Sequence, residues 1–375
     1  NGKAVKENSY FVGKIVDVNH LTSRVLLASD LRISTLGGNA GFWDDDDSNW
    51  LIFPSRINNL DMVQFSGLGD NTVPGSAMIV WGDDATFAFK YNQALDASND
   101  FEDGSAYLDW VNLGWGNGQL GAIINIGSWT YDSGEVNSTG SSLSFYGVGL
   151  GRNMGFGEFG TSFQMLTADD GNVNTEDEGA MMFSANIRRQ QNFWLFDNML
   201  LGYDWITTTN NDGNTETKDS KNTMDFNIDL FTHLNPSKNI DVLFALGFGY
   251  WSHTIDDGVA TTTNTEQTIM TLPQSTIAVE AKLKDWAILR VGANHAYMIG
   301  TDGDKSWSGS YNYLNIGNAD PITTFSWNFG LGFDFGNLIV DMAIKEHFFS
   351  DPLPYMTGFN NDDLANGSVT LTYKF

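Results

Sequence analysis

Apolar and polar residues alternate with a period of two along most of the chain. In the segment 324–335, Phe325, Trp327 and Phe329 share one face with further apolar residues, and the residues between them are Ser, Asn, Gly and Asp. A period of two places successive side chains on opposite faces of an extended strand. The pattern therefore predicts strands with one apolar and one polar face, and it recurs in 223–230, 239–250, 275–283, 286–296 and 337–346.

Short and long polar connections alternate between these strands. Short ones such as 82–84 and 336–337 are followed by long ones such as 207–222 and 349–366. This alternation is typical of transmembrane barrels, which have short periplasmic turns and longer outer loops. The chain is predicted to hold 14–16 strands, sixteen by direct count, near 61–68, 76–82, 85–92, 105–115, 119–129, 142–151, 155–166, 178–189, 193–206, 223–234, 239–252, 273–283, 286–299, 322–334, 337–348 and 367–375.

The predicted fold class is all-β, a transmembrane antiparallel β-barrel. In a bilayer every backbone polar group must be satisfied within the protein, so only helices and closed barrels span it. No apolar stretch reaches the ~18–20 residues that a membrane helix needs. A soluble sandwich also alternates, but it has no reason to alternate its connection lengths over the whole chain. We therefore expect the apolar faces, rich in Phe, Leu and Val, to contact lipid and the polar faces to line the lumen.

The polar faces supply the candidate lumen-lining residues. They carry charges of both signs together with amides and glycines. Such charges could set a transverse field in an open pore, or they could form salt bridges to an internal segment and close it, and the pattern leaves both open. The candidates are Asp225, Asn227, Asp229, Asp241, Glu280, Lys282, Arg290, Asn294, Asn328, Asp334, Asp341 and Lys345.

Composition excludes several classes of protein. The chain has 19 Lys and Arg against 46 Asp and Glu, for a formal charge of −27. A polyanion repels phosphate backbones, so no nucleic-acid partner is expected. The absence of cysteine excludes disulfides, thiolate metal sites and cysteine nucleophiles. None of the five His lies in a His-x-x-x-His motif, and no Gly-x-Ser-x-Gly motif accompanies them, so no catalytic residues are assigned and the chain is not expected to be an enzyme.

Four consecutive carboxylates at Asp44, Asp45, Asp46 and Asp47 suggest a cation site. Hard cations such as Ca²⁺ bind several carboxylate and carbonyl oxygens. The spacing lacks the Gly and the distal Glu of an EF-hand loop, so an acidic turn is the favoured interpretation and Ca²⁺ here or at the acidic outer loops is the alternative. No other cofactor is expected. Divalent ions shared between the acidic loops and lipopolysaccharide are a further hypothesis.

The end of the chain is a strand with an aromatic terminus. Between 367 and 375 apolar residues alternate with polar ones, and Tyr373 and Phe375 lie on the apolar side. This segment resembles the C-terminal sorting strand of bacterial outer-membrane barrels. The resemblance implies recognition by the barrel-assembly machinery and a location in the outer membrane of a Gram-negative bacterium. Since the chain starts at Asn1 without an apolar signal region, a signal peptide is expected to have been removed.

The segment before the first strand does not alternate. It contains a Gly-rich turn with Gly37, Gly38 and Gly41, then the acidic pair Asp46 and Asp47, then Pro54 just ahead of strand one. This order resembles the N-terminal region of the FadL-type (long-chain fatty-acid transporter) superfamily, which includes PorV-like proteins. Phe53 and Ser55 replace the Asn and Ala of that family's Asn-Pro-Ala element. The resemblance implies that residues 1–60 form a plug or hatch inside a barrel made of residues 61–375.

Three functions follow as hypotheses. The FadL-type resemblance implies passage of small, hydrophobic or amphipathic molecules. A general porin that prefers cations is the closest alternative, because acidic residues attract cations into an open lumen. The third is a PorV-like structural barrel that anchors or shuttles a surface or periplasmic protein partner. Outer-membrane lipid and lipopolysaccharide are expected to surround the barrel in each case.

Overall fold

The computed structural model describes residues 31–68, 75–92, 109–131, 141–169, 178–211, 218–256, 265–302, 305–310, 325–344 and 368–375. Four short helical turns come first: α1 (Leu31–Thr35), the 3-10 helix η1 (Ala40–Phe42), α2 (Asn49–Ile52) and the 3-10 helix η2 (Pro54–Asn59). The strands are β1 (Met62–Leu68), β2 (Ser76–Trp81), β3 (Thr86–Asn92), β4 (Trp110–Gly116), β5 (Leu120–Tyr131), β6 (Ser141–Met154), β7 (Gly157–Asp169), β8 (Glu178–Phe193), β9 (Phe196–Asn211), β10 (Lys218–Ser237), β11 (Ile240–Asp256), β12 (Thr265–Lys284), β13 (Ala287–Asp302), β14 (Lys305–Ser310), β15 (Phe325–Asp334), β16 (Leu338–Ile344) and β17 (Val369–Lys374).

These strands form one closed antiparallel sheet. Except for β14 and β15, each strand pairs with its neighbour in sequence, and β1 pairs with β17, where Met62 lies opposite Lys374. The strand β13 has two partners on one side, since β15 pairs with residues 287–295 and β14 with residues 297–302. β14 and β15 thus share one position in the wall. The barrel has sixteen strand positions, which confirms the predicted fold class and the direct count.

Connection lengths alternate as predicted. Seven connections at one end of the barrel, the first between β2 and β3, contain two to four residues. The connections at the other end contain six residues or more, except for the two residues between β13 and β14. The short turns, the start of β1 and the end of β17 therefore all lie at one end of the barrel. Among the described residues, no helix is both long enough and apolar enough to cross a bilayer.

The two faces of the wall differ sharply in exposure. On β5, Ile124 and Ile126 are 49% and 43% exposed, whereas the alternate residues Ile123 and Asn125 are 4% and 5% exposed. The outward side chains of the other strands are likewise large and apolar, as at Phe89 and Val148. A closed sheet with an apolar outside satisfies its own backbone and can be surrounded by acyl chains.

The facing of β15 predicts different effects for two neighbouring substitutions. Phe329 lies at the middle of the strand on the outward face, and Asn328 lies on the inward face. Phe329→Arg is expected to destabilise the barrel by about 2–4 kcal/mol, the cost of a basic side chain at the bilayer midplane. Asn328→Arg is expected to assemble and to unfold at nearly the wild-type urea concentration. Equal sensitivity of the two variants in a urea titration in lipid vesicles would contradict the assigned facing.

Candidate functional site: the inner segment and the lumen

Residues 31–60, called the inner segment below, lie inside the barrel. They contact strands all the way round, from β1 to β13 and from β15 to β17. Trp50, Phe53 and Ile57 are at most 1% exposed. Its last helical turn, η2, ends at Asn59, and β1 begins at Met62. Residues 1–30 of the predicted plug lie outside the described residues.

Two apolar clusters hold the inner segment against opposite sides of the wall. One joins Phe42 and Phe53 to Leu200, Phe231 and further residues of β9–β12. The other joins Trp50 and Ile57 to Met62, Met78, Val80, Ala88 and Ile123 of β1–β5. Each large side chain buried in this way stabilises the fold by roughly 1.5–3 kcal/mol relative to its exposed state. These contacts anchor the segment across the full width of the lumen.

Inward-facing glycines let the backbone of the inner segment approach the wall closely. A Cβ on Gly160 would lie 1.8 Å from the carbonyl oxygen of Ile52, and one on Gly151 would lie 2.6 Å from the nitrogen of Pro54. A Cβ on Gly292 would likewise lie 2.5 Å from the backbone nitrogen of Gly37. Such distances leave no space for any side chain, so these positions require glycine while the segment is in place.

Arg188 connects the wall to the inner segment. It is 6% exposed, and its guanidinium donates to Glu158 on the neighbouring strand, with Nε 2.8 Å from Oε2. The Nη1 group donates to the Gly41 carbonyl and to Asn49 Oδ1, both at 3.2 Å. Arg56 of the inner segment pairs with the second carboxylate oxygen of Glu158. The result is a buried network that includes both charged and neutral partners.

A second network involves Arg32. Its guanidinium donates to Asp46 at 2.8 Å and to Glu280 of β12 at 2.9 Å. Glu280 also accepts from Arg290 at 2.6 Å, and Arg290 donates to Asp341 at 2.5 Å. Burial alone would lower the pKa of Arg32, but the Asp46 and Glu280 carboxylates outweigh it and raise that pKa well above its ordinary value. The inner segment is thus tied to β12, β13 and β16 by alternating charges.

The four consecutive carboxylates do not converge on one point. Asp45 and Asp46 pair with Arg32, Asp46 also accepts from the Ser48 amide, and Asp47 pairs with Lys374 of β17 at 3.1 Å. Burial raises the pKa of Asp47, partly opposed by Lys374. Within the described residues, no group of three or more His or acidic side chains is placed to hold a metal ion. Asp45, Asp46 and Asp47 are engaged with arginine, serine and lysine, and Asp44 is exposed.

The predicted lumen-lining residues fall into three groups. Most contact one another, other lumen side chains or the inner segment, or border a cavity beside that segment: Asp225, Asn227, Asp229, Asp241, Glu280, Arg290, Asn294 and Asp341. Three lie elsewhere on the inner face or near the short turns: Lys282 is exposed, Asn328 is half-buried, and Asp334 accepts from the Gly336 amide at 2.9 Å within the β15–β16 turn. Lys345 lies outside the described residues.

The predicted motif residues take structural positions in the inner segment. Gly37 and Gly38 adopt φ values of 100° and 85°, which favour glycine and turn the chain after α1. The Gly41 carbonyl accepts from Arg188, and Pro54 occupies the first position of η2. At the other end of the chain, Tyr373 and Phe375 are 48% and 56% exposed beside one another. Their expected role in sorting stays a prediction.

Sequence reasoning missed several inward polar residues. Glu158 and Arg188 are the most connected of these. Asn92, Asn112 and Asn125 form a chain of side-chain hydrogen bonds across β3, β4 and β5, at 2.7 and 2.6 Å. The sequence does contain the pattern that predicts an inward position for Asn125. This residue alternates with Ile124 and Ile126 in the same way as the predicted lumen-lining residues alternate with their apolar neighbours.

Among the described residues, two cavities of different size lie beside the inner segment. The larger, about 730 Å³, lies near the short turns and is called the basal cavity; its lining includes Arg56, Glu158, Arg188, His233 and Asp241. The smaller, about 210 Å³, is called the acidic cavity and lies farther along β9 and β10; its lining includes Asp204, Asp225, Asn227, Asp229 and Gln274. Both are lined mainly by polar groups.

No family model matches the chain, and no curated protein matches it. Solved structures that resemble it at low identity include the following three. The unliganded ferric citrate transporter FecA is 12% identical, with 76% of this chain and 51% of that chain covered and a TM-score of 0.43. The siderophore receptor PirA from Acinetobacter baumannii is 10% identical, with 76% and 62% covered and a TM-score of 0.33. The toluene transporter TbuX from Ralstonia pickettii is 10% identical, with 93% and 99% covered and a TM-score of 0.38. The chain thus spans about half of FecA and less than two thirds of PirA.

Proposed function

We propose that this chain is an outer-membrane β-barrel that passes small amphipathic or polar molecules, and that the inner segment closes its lumen at rest. The observation that carries the proposal is the position of residues 31–60, which contact the inner wall on all sides and separate two polar cavities. A barrel of this size is too wide for wall side chains alone to fill. An internal segment that fills it can act as a gate.

The contacts between the inner segment and the wall support a gate in which the whole inner segment moves together. The inner segment is held by apolar clusters, by close backbone contacts at glycines and by the Arg32 and Arg188 networks. A solute that reaches the basal cavity meets Arg56, His233 and Asp241. These linings favour amphipathic or polar molecules over purely hydrophobic ones, because an apolar solute would leave the charged groups desolvated without a partner.

One observation favours a second candidate, the porin that prefers cations. Asp204, Asp225 and Asp229 line the acidic cavity together. Carboxylates along a lumen attract cations and repel anions. The two candidates differ in the resting state: the gated barrel is closed, whereas the porin conducts without any change to the inner segment.

Substitutions at two wall glycines test the gate. We expect Gly160→Ala and Gly151→Ala to displace the inner segment and to raise the frequency and size of single-channel openings in planar bilayers, because a Cβ at either position overlaps the segment's backbone. Overpacking of this kind costs about 1–3 kcal/mol. Gly149→Ala is the matched control: it lies on β6, two residues from Gly151 on the same face, and a Cβ there would meet its nearest neighbour at an ordinary 3.6 Å.

The gate is contradicted if both overlapping variants stay as closed as Gly149→Ala. A wild-type protein that already conducts steadily, with no gain in either variant, would support the porin instead. The chain has no cysteine, so a single cysteine introduced at the exposed Ser34 would report the segment's movement by its rate of labelling.

A further inference from the structure

The acidic cavity has a one-sided charge. Of its described lining residues, Asp204, Asp225 and Asp229 are acidic, and none is Lys, Arg or His. The basal cavity, by contrast, is lined by groups of both signs. Asp225 and Asp204 are also direct register partners on β10 and β9. Like charges directly opposite one another on a sheet are destabilising unless a cation lies between them or nearby.

Asp229 is a buried carboxylate without a partner. It is 5% exposed and borders the acidic cavity, and within the described part of the chain no hydrogen-bond donor or cation pairs with it. The neighbouring strand accommodates it, since a Cβ on Gly247 would lie 2.0 Å from its Oδ1 atom. Burying an ionised carboxylate without compensation is costly, so such a group indicates a missing partner.

Two buried amide oxygens in this cavity also lack a hydrogen-bond donor on any described residue. Asn227 Oδ1 and Gln274 Oε1 are buried and have no hydrogen-bond partner among the described residues. They lie together, 2.9 and 3.4 Å from the point that a Cβ on Gly249 would occupy. The Asn227 amide nitrogen already donates to Asp225 at 2.8 Å. The cavity therefore presents acceptors without partners, and its described lining residues include no cationic donor.

We propose that the acidic cavity binds the ammonium group of a small organic amine. An ammonium carries three N–H donors and a positive charge, which match Asp229, Asp225 and the unpaired amide oxygens. The acceptors are spread around the cavity, and in the part of the chain that the structure describes no set of three acidic or His groups converges closely enough to hold a metal ion. Ile52 of the inner segment and Leu200 of β9 also line the cavity and provide apolar contact for a short carbon chain.

The size of the cavity limits the ligand. About 210 Å³ is less than the ~300–1,000 Å³ of pockets that hold drug-sized molecules. A ligand of a few carbon atoms with one ammonium group fits this space. The inference rests on the proposed function only for the claim that such amines travel through the barrel, since binding can be measured at equilibrium without transport.

Calorimetric titration of the full chain in detergent tests the site. n-Butylammonium is expected to bind, and butanol and butyrate, which lack the positive charge, are not. Asp229→Asn is expected to weaken butylammonium binding at least ~10-fold, equivalent to about 1.4 kcal/mol. Asp285→Asn is the control, because Asp285 is exposed in the β12–β13 turn. Asp229→Asn should also unfold at the same or a higher urea concentration than wild type, since it removes an unpaired buried charge.

The other outcomes either overturn the amine site or separate it from the gate. Unchanged binding in Asp229→Asn would place the amine elsewhere, and binding of Na⁺ or Ca²⁺ with no binding of butylammonium would replace the amine by an inorganic cation. Absence of butylammonium binding in a protein whose Gly160→Ala variant opens would refute this inference and leave the gate intact. Binding in a protein whose glycine variants never open would refute the gate and leave the site intact.

Discussion

Replacing Arg188 by alanine is expected to lower the free energy of unfolding by about 3–5 kcal/mol, the usual cost of removing one member of a buried ion pair. The loss leaves Glu158 with Arg56 as its remaining cation, and Glu158 is 5% exposed. It also removes the donors that the Gly41 carbonyl and the Asn49 side chain receive from the wall. The inner segment should therefore loosen as the barrel weakens.

The neighbouring Arg189 supplies the control. It lies on the opposite face of β8, exposed, with its guanidinium 5.9 Å from the ring of Phe156. Arg189→Ala should change the unfolding free energy by about 0.5 kcal/mol or less, as surface substitutions usually do. Urea titration followed by the fluorescence of the 12 tryptophans measures both variants. If the two variants lose similar stability, Arg188 does not have the linking role assigned to it.

Strand positions and facing could be predicted from the sequence because they depend on local geometry. The period of two reports which side chains share a face, and lipid outside the barrel requires apolar residues there on every strand. The sixteen positions follow from counting such segments between short and long connections. This is why Phe329 and Asn328 could be assigned to opposite faces from the sequence alone.

Strand ends were less predictable. β10 begins at Lys218 and β12 at Thr265, earlier than the predicted 223 and 273. The added residues are largely polar and do not alternate, and β12 also passes through Pro273, where its register with β11 and β13 shifts. A proline normally marks the end of a strand or a bulge, and here it lies at a bulge. Where backbone pairing continues past the apolar part of a strand, the side chains no longer alternate between apolar and polar, so the sequence does not show where the strand ends.

Contacts between strands could be predicted only where a short turn fixes the register. Glu280 and Arg290 lie opposite each other across a two-residue turn, so their pairing is accessible from the sequence. Glu158 and Arg188 are also opposite each other, but their strands are joined by a long connection that does not fix the register. The partners of Arg188 in the inner segment depend on the path of residues 31–60, which has no periodicity.

The Asp44–Asp47 turn shows the same limit. A run of carboxylates indicates a cation in general terms, but the cations that reach Asp46 and Asp47 are Arg32 and, from the last strand, Lys374. The partner from β17 is separated from this turn by most of the chain, so only the closed barrel brings them together. Local composition could suggest the charge of the partner and could not identify it.

The network around Arg290 provides the second large effect. Arg290 is 3% exposed and is the cation in hydrogen-bond contact with Asp341, which is 6% exposed. Arg290→Met should destabilise the barrel by about 3–5 kcal/mol, because Asp341 then stays buried without that partner. Glu280 should be affected less, since Arg32 of the inner segment also pairs with it.

The double variant Arg290→Met/Asp341→Leu distinguishes two contributions to stability. One is the free energy that the ion pair itself contributes, and the other is the cost of leaving Asp341 buried without a cation. Replacing both partners by apolar groups of similar volume is often neutral or stabilising. We therefore expect the double variant to recover most of the stability lost in Arg290→Met, as measured by urea titration under the same conditions. A double variant as unstable as the single one would mean that the ion pair itself stabilises the wall. In that case the charged interior would contribute to folding as well as to what the lumen admits.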